Sequence, residues 1–95
     1  MVRVEIIANQ SVQDDIIEIL ENELPELEYS MIPAVHGKGK TAHKLGNNIW
    51  PEENFLLFSY TDESSASKIK ELVQAVKTRF PREGISCFAC VAQEI

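Results

Sequence analysis

The sequence predicts an α+β domain in which two helices cover one face of a four-stranded antiparallel sheet. Three observations lead there. The hydrophobic period alternates between that of a strand and that of a helix in the order βαββαβ. Capping or breaking residues stand at most of the switches. The 95 residues are enough for one domain, 1–95, and one core.

Met1 to Asn9 alternates, with Val2, Val4, Ile6 and Ala8 on one face and Arg3, Glu5, Ile7 and Asn9 on the other. That is the pattern of a strand with an apolar inner face. Ser11 and Asp14 then resemble a capping box. Val12, Ile16, Ile17, Ile19, Leu20 and Leu24 follow at helical spacing, and Pro25 closes the helix. A second strand is expected over residues 27–35. Pro33 has no N–H to give to a ladder, which places this strand at an edge or a bulge. Residues 55–60 form the third strand, apolar on both faces. In a sheet with helices on one side only, its outer face is expected to meet another subunit. Thr61, Asp62, Ser64 and Ser65 offer caps to a second helix whose buried stripe is Ile69, Leu72, Val73, Val76 and Phe80. Pro81 and Gly84 end it, and residues 85–92 give the last strand. Two helices returning the chain to one sheet around a middle hairpin make the ferredoxin-like sandwich.

Composition excludes several functions. A net charge of -6 repels phosphate backbones, so nucleic acid is not an expected partner. There is no basic leader followed by an apolar segment, and no apolar run approaches ~18 residues, so the expected location is cytoplasmic. Cys87 and Cys90 have C-x-x-C spacing, but on a strand residues three apart point to opposite faces. Two buried, inert thiols are expected instead of a redox pair. The serines Ser64, Ser65 and Ser67 gather at a helix start, where capping accounts for them. Adjacent acids such as Asp14–Asp15 and Glu52–Glu53 diverge in regular structure. The chain does not read as an enzyme.

Chemistry concentrates in residues 36–48, which hold three of the four glycines, both histidines and three of the six lysines. No acid occurs between Glu28 and Glu52. A cationic, glycine-punctuated loop on an acidic protein fits an anion. Lys38, Lys40 and Lys44 would supply charge, Thr41 a hydroxyl, and Gly37 and Gly39 close backbone approach. Ala34-x-x-x-x-Gly39-Lys40-Thr41 imitates a phosphate loop, yet the residues after it make a poor helix and the parallel βα context is missing. A second reading uses His36 and His43 as metal ligands for Zn or Cu, completed by Glu52, Glu53 or a neighbouring subunit.

Element order, length and the loop after the second strand together resemble the PII signal-transduction superfamily. Val35-His-Gly37-Lys-Gly39-Lys40 is similar to the family's Val-Lys-Gly-Phe-Gly-Arg at the start of its long loop. Glu83-Gly84 is similar to the Asp-Gly of its second nucleotide-binding loop, although Ile85 stands where the family has a lysine. The resemblance implies a regulatory homotrimer, not a catalyst. It would bind a small anionic effector, an adenine nucleotide among the candidates, in a cleft between subunits. It would gate a protein target, such as a membrane transporter or an enzyme, through the 36–54 loop. Lys40 would then contact phosphates, Gly84 would line the second loop, and Arg82 would stand in for basic residues of the family. Trp50 would anchor the loop or the target. The metal alternative corresponds to a metal-responsive or cation-tolerance-type PII-like protein.

Overall fold

A computed structural model describes residues 1–38 and 52–95 of the chain. The first strand, β1, runs Val2–Asn9, and a 3-10 turn over Gln10–Val12 leads into helix α1, Gln13–Glu23. Strands β2 (Ser30–Gly37) and β3 (Glu52–Thr61) follow, then helix α2 (Glu63–Arg79) and strand β4 (Ile85–Val91). The sheet order is β2-β3-β1-β4, and every neighbouring pair is antiparallel. This is the ferredoxin-like arrangement the hydrophobic pattern predicts.

The alternation of β1 decides which face the helices cover. Val4, Ile6 and Ala8 are buried and meet Phe55 and Leu57 of β3, Ile85 of β4, Val12, Ile16 and Leu20 before and along α1, and Ile69, Leu72, Val73 and Val76 of α2. These residues form one core between sheet and helices. The predicted stripe of α2 is buried throughout except Phe80, which caps the helix and is half-buried.

The helix ends follow local chemistry. The Asp62 side chain accepts from the Ser65 N–H at 2.7 Å and starts α2. Lys77 and Arg79 lie in its last turn, where the dipole favours cations. Pro25 follows the last residues of α1 as expected. The start of α1 differs from the capping-box expectation. Asn9, not Ser11, is the capping side chain, accepting from the Ser11 N–H at 2.9 Å to open the 3-10 turn. Val12 then precedes α1 with no side-chain cap.

Strand β2 starts three residues later than expected and ends two later. Residues 27–29 lie outside the ladder, although Leu27 and Tyr29 still pack on the core. The buried Ser59 hydroxyl donates to the Glu28 carbonyl at 2.6 Å, and the Tyr29 hydroxyl to Glu21 Oε1 at 2.8 Å. Pro33 sits both at an edge and in a bulge, since the pairing with β3 shifts between Ile32 and Val35. Gln10 Nε2 donates to the Pro33 carbonyl at 2.7 Å and so satisfies the bulged backbone.

Candidate functional site

The topology gathers one set of ends. The C-terminal ends of β1 and β2, the N-terminal ends of β3 and β4, the start of α1 and the end of α2 all lie at the same end of the sandwich. A pair between Arg79 and Asp15 at 3.8 Å joins the two helices there. The expected 36–54 loop has a paired neck. Val35, His36 and Gly37 stand opposite Asn54, Glu53 and Glu52, so these residues belong to strands. Continuing the ladder satisfies backbone groups that a loop would leave to solvent.

Of the residues singled out for an anion, Gly37, Lys38, Arg82 and Gly84 fall among the described residues. Gly37 closes β2, and a Cβ there would lie 3.3 Å from Asn54 Nδ2. Lys38 follows it and is exposed. Arg82 is exposed in the turn after α2. The Gly84 carbonyl accepts from the Asn9 N–H at 2.9 Å, which fixes that turn to the end of β1. Nothing lies within 4 Å of a Cβ built at Gly84, so no clash requires glycine there. Both groups thus share one end of the sheet, but they sit on opposite edges. Three strand spacings separate β2 from β4, about 14 Å. Gly39, Lys40, Thr41, His43, Lys44 and Trp50 lie outside the described residues. His36 is exposed opposite Glu53 on β2, and no group of three metal-ligating side chains gathers among the described residues.

The outer face of the sheet carries a second constellation. Ile7 pairs with Leu56 and Ser86, and Leu56 with Ile32. Glu5 stands between Phe58 and Phe88, and Arg3 between Tyr60 and Cys90. Arg3 organises this face. It donates to the Tyr60 hydroxyl and to Glu5 Oε2, both at 2.8 Å, and its guanidinium lies 4.6 Å from the Phe58 ring centre. Ile32, Tyr60 and Phe88 remain about half exposed, at 46%, 51% and 59%. Alternation alone puts Arg3 and Glu5 on this face, but only the register brings Phe58 and Tyr60 beside them. The cysteines do point to opposite faces, as their spacing requires. The expectation that both are buried fails for Cys90, which is exposed on the outer face beside Arg3. Cys87 is half-buried on the helix side, where burial raises its thiol pKa against the opposing pull of Lys77.

No protein-family model matches the sequence, and no curated protein is similar to it. Solved structures are similar in fold. CPII from Thiomonas intermedia K12, solved with ADP and bicarbonate bound, superposes with a TM-score of 0.64 at 13% identity. The match covers 94% of this chain and 84% of CPII. A protein from Thermus thermophilus described as PII-like and signalling gives 0.63 at 19% identity, over 93% of this chain and 82% of its own. The chain has the PII-like fold. The de novo designed protein Foldit4 matches with a TM-score of 0.60 at 12% identity, over 97% of this chain and 98% of its own. The PII-like fold thus supplies the frame, and the residues on it have to carry the function.

Proposed function

We propose that this chain is a PII-like regulatory protein that works as a homotrimer. It binds a small anionic effector, with adenine nucleotides the first class to test, and acts on a protein target through residues 36–54. The observation that carries this reading is that Gly37–Lys38 and Arg82–Gly84 share one end of the sheet, on its two opposite edges. A separation of about 14 Å across one subunit exceeds the reach of a phosphate group, but a cleft between two subunits can bring opposite edges together. Glycine at 84, which no local clash requires, leaves the backbone open to a ligand. Lys40, Thr41 and Lys44 would add charge and a hydroxyl from the loop. The apolar outer face, with Ile7, Ile32, Leu56, Phe58 and Phe88, supports the assembly. That neighbours of this fold were solved with ADP, AMP and bicarbonate supports the ligand class. The protein would act by differential binding to two states of the loop, without chemistry on the effector.

Thermal unfolding against ADP, AMP, ATP, bicarbonate, Zn and Cu tests the reading. A ligand at a hundredfold excess over its Kd stabilises the native state by about 2.7 kcal/mol. For a domain of this size that is a shift of roughly 10 °C or more. A nucleotide shift that disappears in Lys40→Ala and Arg82→Ala is the expected result. A metal shift that disappears in His36→Ala, with none from nucleotides, would replace it by the metal reading. No shift from any of the six compounds would leave the effector proposal without support.

A further inference from the structure

The two edges of the sheet are built differently. β2 is interrupted by Pro33 and by its bulge. β4 pairs with β1 without a shift over Ile85–Val91, and its seven residues include no charge and no proline. Natural edge strands are usually blunted by one of those devices, because regular unpaired backbone recruits another strand.

The hydrogen-bond phase of β4 is fixed at both ends. The Asn9 N–H donates to the Gly84 carbonyl, and the Ala92 N–H donates to the Met1 carbonyl. In an antiparallel ladder the residues between alternate, so Ser86, Phe88 and Cys90 exchange bonds with β1. Ile85, Cys87, Ala89 and Val91 therefore direct their N–H and C=O groups away from β1, toward an edge that pairs with no other strand among the described residues. Beside that edge runs a groove of about 330 Å³ between β4 and α2. Val73, Cys87 and Ala89 contribute apolar lining, Lys70 and Lys77 stand on the α2 side, and no acid among the described residues lines it. On a protein of net charge -6 this is a local reversal of sign.

We propose that the free edge of β4 is a docking site for an extended segment of a partner protein, which adds to the sheet as a fifth strand. The charge of the groove selects the segment. Residues facing α2 would be acidic and reach Lys70 and Lys77, and the alternate residues would be apolar and pack beside Phe88 on the outer side. Backbone bonds to Ile85, Cys87, Ala89 and Val91 supply affinity, and the two lysines supply selectivity. The site runs along β4 beyond the Gly84 end that the effector reading uses, and it requires the proposed assembly to leave that length of the edge uncovered.

The test uses the full chain and two eight-residue peptides, one alternating valine with glutamate and one alternating valine with lysine. The glutamate peptide is expected to bind and to slow hydrogen exchange at the amides of Ile85, Cys87, Ala89 and Val91. Ala89→Pro removes an outward N–H without touching the β1 ladder and is expected to weaken binding by about tenfold. Ala89→Val, which keeps the N–H, checks that the loss is not due to bulk. Lys70→Glu/Lys77→Glu, on exposed helix positions, should exchange the preference to the lysine peptide. Equal binding of both peptides, no binding at millimolar concentration, or affinity unchanged in Ala89→Pro would each overturn the proposal. So would amides already protected in the free protein in a concentration-dependent way, because the edge would then be covered by a second copy of the chain.

Discussion

Ser59 shows how a single buried polar group is settled in this core. Its hydroxyl donates to the Glu28 carbonyl, in a segment that makes no ladder bond at that point. Ser59→Ala is expected to cost about 1 kcal/mol, a fall of roughly 4–8 °C in Tm for a domain of this size. Thermal unfolding followed by circular dichroism measures it. Asp62 gives a pH prediction. Its carboxyl lies below its ordinary value of 3.8, chiefly because it accepts the Ser65 N–H. A depressed carboxylate contributes stability above its unfolded pKa, and that contribution is lost as pH falls through the folded pKa. Asp62→Asn can still accept that bond but has no charge to titrate. The wild-type advantage in Tm over Asp62→Asn is therefore expected at pH 5 and should shrink progressively as the pH falls below 3.8.

Among the elements, α2 and β1 were the most legible. Their periods are clean, and the residues placed on each apolar face are the ones that pack. The strand ends were less legible because backbone pairing at the neck of the hairpin does not depend on side-chain alternation. Residues 27–29 alternate like a strand but are held by side-chain bonds instead. The start of α1 misled because Ser11 and Asp14 match a capping signature while Asn9, two residues earlier, takes the cap. For the site, types were visible and distances were not. The sequence shows lysines and glycines around 36–48 and an Arg-x-Gly at 82–84, but only sheet order reveals that their anchoring strands are opposite edges. The outer face was partly legible through the two-sided apolarity of β3. Leu56, between Ile7 and Ile32, occupies its centre. Leu56→Glu is expected to dissociate the proposed trimer while leaving the inner core folded. Light scattering and circular dichroism on the same sample separate those two outcomes.

At the scale of the whole molecule, a chain of this length buries only a little over ~60% of its unfolded surface, and its outer sheet face leaves further apolar area in water. Assembly through that face would make stability depend on protein concentration. Tm is then expected to rise as the protein is concentrated from micromolar to hundreds of micromolar, and a constant Tm with monomer mass would remove the trimer from the proposal. The unequal edges have a consequence of another kind. A sheet that extends without limit needs two receptive margins, so that each added molecule offers a new one. Here Pro33 and the bulge interrupt one margin, β2, whereas β4 pairs with β1 without a shift. Two β4 edges meeting would close on themselves as a pair and stop. The proline that interrupts β2 therefore also guards the protein against fibre growth, and replacing it would expose a hazard that the native chain avoids.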